Sequence, residues 1–205
     1  MKVDLEALEE TAKLLYIRAL KVLPDDIKDG FEKLDAAETD ATGKSILATM
    51  IKNIDVAEDT DNLLCQDTGI PIYNITIGRG VEVDGIDLKA AIRKGCERAT
   101  TEYPLRSSIV HPMTRENEHT SCGHRVPVIT VDFSDQPDEL VIEMIPKGSG
   151  SENGSFLKMC IPAEGVAGIK TFVIDRVMEA GGKVCPPTIV GVGIGGTADL
   201  CTKLA

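Results

Sequence analysis

The sequence predicts an α/β (α+β) fold, a helical N-terminal region followed by a mixed sheet flanked by helices. Three observations predict it. Apolar residues recur in steps of three and four through residue 60; they alternate in short runs from residue 71; and helical and strand-like stretches then interleave to the last residue. The 205 residues read as a single domain, with a helical region over 1–60 and a sheet with its loops over 61–205.

Leu5, Leu8, Ala12, Leu15, Ala19 and Val22 make the apolar stripe of a first helix, widened by Leu14, Ile17 and Leu20. Pro24 ends it, and Asp25 is expected to cap a second helix that buries Ile27, Phe31 and Leu34. A third helix starts at Asp40 or Thr42 and uses Leu47, Met50, Ile51 and Ile54, before a solvated break at residues 58–61. These helices read as scaffold or subunit contact.

Residues 71–78 alternate as a strand, with turns at Gly78-Arg79-Gly80 and Asp84-Gly85. Asp87 is expected to cap a helix reaching Glu102, with Leu88, Ala91, Ile92 and Ala99 inward. Residues 104–123 are polar and aperiodic, and irregular segments of that length are usually functional. Residues 126–133 and 140–145 read as two strands of an antiparallel hairpin. A glycine-rich segment, 148–154, precedes a helix over 163–180, a buried strand over 188–194 and a last helix opening at Thr197 or Asp199.

Composition narrows the function. A net charge of −11, without a basic stripe carrying interleaved aromatics, excludes nucleic acid as a partner. No apolar run approaches the roughly 20 residues that span a bilayer. The acidic, amphipathic start is unlike a signal peptide, so the chain reads as cytoplasmic, with no membrane partner. In that setting the six cysteines do not read as a disulfide framework. An anionic substrate would need local cations to overcome the repulsive global field.

The densest chemistry lies in Cys65-Gln66-Asp67-Thr68-Gly69, where a thiol, an amide, a carboxylate and a hydroxyl precede a turn. Far along the chain, Cys185-Pro186-Pro187 repeats the arrangement of a thiol beside a strand-like run. We read Cys65 and Cys185 as ligands of one metal site; the bland reading of each is a buried core thiol. That bland reading is preferred for Cys96, Cys122, Cys160 and Cys201. Cys122 with His119 and His124 has the residue types of a zinc site but lacks a fourth partner. Arg106 offers a planar fork suited to a carboxylate, against the simpler reading of an exposed surface arginine. The segment Lys147-Gly148-Ser149-Gly150-Ser151-Glu152-Asn153 resembles an anion-binding loop but is no Walker motif, since its lysine precedes the glycines. The glycines between Gly191 and Gly196 lack a downstream βαβ unit, so close backbone packing explains them better than a dinucleotide.

Taken together, the Cys65 motif, Pro104-Leu105-Arg106, the Lys147–Asn153 glycine segment and Cys185-Pro186-Pro187 through Gly196 occur in an order and at a spacing that resemble a known family. It is the alpha subunit of the iron–sulfur class I fumarases and the related L-tartrate dehydratases. The resemblance covers nearly the whole chain. It implies a 4Fe-4S cluster held by three cysteines, two of them Cys65 and Cys185, with the third in a segment this chain lacks. It also implies that Gln66, Asp67, Arg106 and one of the glycines Gly148 or Gly150 contact a small dicarboxylate, and that Asp67 is catalytic. A beta subunit or C-terminal domain would complete the enzyme in a homo- or hetero-oligomer. The activity implied is reversible dehydration of a 2-hydroxy dicarboxylate, malate to fumarate first and L-tartrate as the alternative. The chain would then be a fragment, inactive alone. A departure bears on substrate choice: Glu116-Asn117-Glu118-His119-Thr120-Ser121-Cys122-Gly123-His124-Arg125 replaces the Asn-Thr-Gly-Asp-Asn-type run usual in the fumarases. A non-catalytic module binding an anion or nucleotide, or a purely structural subunit, are the competing classes.

Overall fold

A computed structural model describes all 205 residues and divides them into two compact units, Met1–Gly148 and Ser149–Ala205. No helix is long and apolar enough to cross a membrane.

The first unit opens with α1 (Leu5–Lys21), whose N-terminal amides at Glu6 and Ala7 are capped by the Asp4 carboxylate. Its buried face is Leu8, Ala12, Tyr16 and Leu20. The expected stripe is therefore rotated: Leu5, Leu14 and Val22 are exposed, and the face centres on a tyrosine instead. In α2 (Asp25–Ala37) the N-cap is Pro24, without a side-chain bond, and Asp25 and Asp26 lie inside the first turn. Asp25 is thus not a cap; it complements the positive end of the helix dipole. The Asp40 carboxylate caps α3 (Ala41–Asp59) through the amides of Thr42 and Gly43. Phe31 of α2 packs with Leu47 and Ile54 of α3 in a small cluster of their own.

The sheet has three strands in the order β2-β1-β3, with β1 (Ile70–Arg79) central. β2 (Val128–Pro137) runs parallel to β1, with Ile72 opposite Val128, and β3 (Leu140–Lys147) runs antiparallel, with Ile70 opposite Lys147. The sheet is mixed, as the sequence predicts, but the expected hairpin is not a pair. β2 and β3 flank β1, so their link must cross its end. The crossing works because Gly78 has no side chain: a Cβ there would lie 2.3 Å from the Gln136 carbonyl oxygen and 2.7 Å from that of Glu139. The Gly78 amide instead donates to the Glu139 carbonyl at 2.8 Å.

α4 (Gly85–Glu102) is capped by Asp84, through the amides of Ile86 and Asp87, rather than by Asp87. Its face of Leu88, Ala91, Ile92, Gly95, Cys96 and Ala99 is buried as expected, with Cys96 added to it. α1 and α4 press together, and a Cβ at Gly95 would meet the Glu9 carbonyl oxygen at 2.3 Å. Both helices share one core with Tyr73 and Ile75 of β1, and Ile129, Ile142 and Met144 pack at its margin. Each large side chain buried there contributes on the order of 2 kcal/mol. Arg98 closes the outer edge of the helix pair by pairing with Glu9, Glu10 and Glu102.

The second unit holds the single turn α5 (Ser149–Glu152), α6 (Gly165–Ala180) behind a 3-10 turn at Pro162–Glu164, and α7 (Ala198–Leu204). The helices over the last part fall where the periodicity puts them. The buried strand over residues 188–194 does not form, and Ile189, Val190, Val192 and Ile194 are exposed. An apolar run becomes a strand only when a neighbour takes its backbone bonds, and no strand exists in this unit to do so.

Candidate functional site

The Cys65 loop enters β1 between supports from three helices. The Leu64 amide donates to the Leu20 carbonyl at the end of α1, and the Asn53 side chain of α3 donates to the Leu64 carbonyl at 2.9 Å. Tyr103, just past α4, donates its hydroxyl to the Asp61 carbonyl at 3.0 Å. The helical region therefore acts as scaffold for the loop, as expected of residues 1–60.

Within the loop, Cys65 and Gln66 are exposed and Asp67 is half-buried. The Asp67 amide points at the Cys65 sulfur at 3.4 Å, and the Asp67 carboxylate accepts from the Gly69 amide at 3.2 Å. This short turn needs Gly69, whose φ of 71° is left-handed. A Cβ at Gly69 would also lie 2.7 Å from the Pro146 carbonyl carbon, so the loop lies directly on the end of β3.

Thr68 turns the opposite way and is fully buried. Its hydroxyl donates to the Arg106 carbonyl, which joins the Cys65 loop to the irregular segment after α4. Leu105 anchors that segment in the core, while Arg106 itself is exposed. Beyond it, the Ser121 amide donates to the Ser107 hydroxyl at 3.0 Å, and Arg93 of α4 donates to the carbonyls of Gly123 and Val126. So three of the sequence-predicted elements come together at one end of the sheet: the loop of Cys65, Gln66 and Asp67, the segment of Arg106, and the Lys147-Gly148 end of β3.

Gly150 and Cys185 belong to the second unit, where the glycine segment lies against Lys183 and Val184. A Cβ at Gly150 would stand 3.5 Å from the Lys183 carbonyl oxygen, and one at Gly154 would stand 2.9 Å from a Val184 methyl. The glycine segment is a helical turn rather than an open loop, because the amides of Asn153, Gly154 and Ser155 bond back to Ser149, Ser151 and Glu152. Cys185 is exposed, followed by a cis Pro186–Pro187 bond.

All six cysteines are free. Cys122 is buried beside Cys96 and bonds the Arg93 carbonyl through its sulfur at 3.6 Å, which makes it a core residue as expected. Hydrogen bonding and burial push the Cys96 thiol up, while Cys122 is lowered by the same contact. His119 and His124 are exposed, and no three His, Cys, Asp or Glu side chains converge on one point. Cys160 departs from its expected core position and is exposed together with Leu157, Met159 and Ile161.

Sequence reasoning missed Tyr16. Its hydroxyl donates to the Thr68 carbonyl at 3.1 Å and to the Gly69 carbonyl at 3.4 Å. Burial pushes this phenol up to about 12, so it remains a donor at neutral pH. The available signal was its four-residue step from Ala12 and Leu20, which places a polar tip inside an apolar stripe.

The sequence profile of the fumarate hydratase (Fumerase) family matches residues 9–205. The chain is 45% identical over 193 residues to a Methanocaldococcus jannaschii protein with the provisional name L(+)-tartrate dehydratase subunit alpha, covering 93% of this chain and 68% of that one. It is 32% identical over 183 residues to the L(+)-tartrate dehydratase subunit alpha of Escherichia coli K12, covering 89% of this chain and 60% of that protein. By a match that leaves out only its first eight residues, the chain belongs to the fumarate hydratase (Fumerase) family.

Proposed function

We propose that this chain is the cluster-bearing alpha portion of a hydro-lyase that removes water from a 2-hydroxy dicarboxylate. One observation carries the reading. The Thr68–Arg106 bond makes a single body of the loop bearing Cys65, Gln66 and Asp67 and the segment bearing a carboxylate-binding cation. A ligand thiol, a proton-transfer carboxylate and a cation at one end of a sheet are the parts that dehydration of such an acid requires.

The donor chemistry suits an iron–sulfur cluster. Cys65 and Cys185 are exposed and form no disulfide, and the Asp67 amide points at the Cys65 sulfur, as backbone donors to a ligand sulfur do. In this reading Cys65 and Cys185 would each be a ligand of a 4Fe-4S cluster, which would supply Lewis acidity toward a departing hydroxyl. Arg106 clamps one carboxylate through its two-pronged guanidinium, and the backbone amide of Gly148 or of Gly150 is a further donor to the substrate. Gln66 orients the substrate through its amide. Asp67 passes a proton to the leaving oxygen, or takes one from water in the reverse direction. By analogy with the relatives named as alpha subunits, the base at carbon comes from a beta subunit or C-terminal domain. The two compact units then serve one functional domain over 1–205, in a cytoplasmic setting that keeps its thiols reduced.

Of the two substrates weighed from sequence, the names of the relatives favour L(+)-tartrate over malate. The test is anaerobic assay of the chain, reconstituted with iron and sulfide and assembled with its complementing subunit and the segment that carries the third cysteine, on L(+)-tartrate and L-malate in parallel. Faster dehydration of tartrate is expected. Preference for malate would reverse the substrate assignment, and turnover of neither would refute the hydro-lyase reading.

A further inference from the structure

We propose that Tyr16 is a positioning residue for the site, holding the Cys65 loop from beneath through the carbonyls of Thr68 and Gly69. The consequence for catalysis rests on the function proposed above; the mechanical claim does not.

The residues under the loop are few and specific. Tyr16 is fully buried at the middle of α1, and its hydroxyl reaches two successive carbonyls, at 3.1 and 3.4 Å. Those carbonyls flank the left-handed Gly69, where the chain reverses between the exposed loop and β1. On the outer side the same turn is closed by Asp67 accepting from the Gly69 amide. Tyr16 thus grips the inner side of a turn whose outer side carries Cys65, Gln66 and Asp67. The next contact outward is the Thr68 hydroxyl on Arg106, so displacement of Thr68 also moves the cation. A lost hydroxyl would remove the one proton that the two carbonyls share, chiefly from Thr68, and the loop could replace it by shifting toward solvent.

The fold supplies its own control. Tyr73 is equally buried in the same core, but its hydroxyl donates to the Ala12 carbonyl of α1 at 2.9 Å, away from the loop. Tyr16→Phe and Tyr73→Phe remove the same atom from the same kind of environment.

The measurement is hydrogen exchange of the 205-residue chain, wild type and both variants, resolved to residues 66–69 and to α4. In Tyr16→Phe the amides of 66–69 are expected to exchange about fivefold faster, the effect of one typical hydrogen bond on a local opening equilibrium. In Tyr73→Phe they are expected to keep wild-type rates, with α4 protected in both. Unchanged exchange at 66–69 in Tyr16→Phe would overturn the proposal. So would equal acceleration in Tyr73→Phe, or general loss of α4 protection in Tyr16→Phe, since the hydroxyl would then hold the core and not the loop. In the assembled enzyme, Tyr16→Phe is expected to raise KM and lower kcat/KM about tenfold while Tyr73→Phe leaves both unchanged; wild-type kinetics in Tyr16→Phe would also count against it. A wild type that takes no cluster refutes the proposed function and leaves the exchange result as the test of Tyr16.

Discussion

The buried hydroxyl of Thr68 donates to the backbone carbonyl of Arg106, and this bond joins the cysteine loop to the segment that carries Arg106. Thr68→Val keeps the shape and removes the donor, leaving the Arg106 carbonyl without this bond. The variant is expected to lose about 1 kcal/mol of stability, the net contribution of one hydrogen bond, read as a lower urea midpoint with unchanged slope.

Under the proposed function, Arg106→Lys keeps the charge of the segment but loses the fork that would grip a carboxylate at two points. In the assembled enzyme kcat/KM is expected to fall about a hundredfold, and Arg106→Ala to fall further. Wild-type kcat/KM in both variants would mean that Arg106 does not touch substrate.

Gly78→Ala tests the strand crossing. The added methyl would meet the carbonyl oxygens of Gln136 and Glu139, both backbone atoms with little room to yield. A loss of about 1–3 kcal/mol or more is expected, measured by thermal unfolding, with strand amides losing protection first.

Much of this fold was legible in the sequence, and the failures share a cause. Helix existence, the central strand and the buried face of α4 follow from local periodicity, because the core they meet is on one side. The α1 stripe was misplaced by its exposed leucines at 5 and 14, since periodicity cannot weigh a tyrosine whose polar tip has a partner 52 residues away. The β2–β3 hairpin was inferred from adjacency, whereas pairing is decided by β1 inserting between them, which only the close approach at Gly78 permits. Residues 188–194 have strand composition but no partner strand in their unit. At the site, Cys65, Gln66, Asp67 and Arg106 stood out by residue type. The Thr68 and Tyr16 bonds that hold them did not, because both link segments distant in sequence.

Acid stability gives a separate check on the α1–α4 pair. Hydrogen bonds from Arg98 and then Lys13 hold the Glu102 carboxyl down at about 2, below its ordinary 4.5. Its folded value is depressed, so its contribution is present above about 4.5 and is lost as pH falls toward 2. Glu102→Gln is expected to flatten the loss of stability across that window, with the difference between variant and wild type shrinking as pH approaches 2. An identical acid limb in both proteins would show that the network adds nothing.

The proposal that Cys65 and Cys185 are each cluster ligands is tested most directly by iron and acid-labile sulfide content. The proteins to compare are the anaerobically assembled enzyme with Cys65→Ser, with Cys185→Ser, and with Cys160→Ser as a control at another exposed thiol. The account predicts that the first two lose the cluster and its visible absorbance while Cys160→Ser retains wild-type iron. Full iron and sulfide in either Cys65→Ser or Cys185→Ser would contradict it.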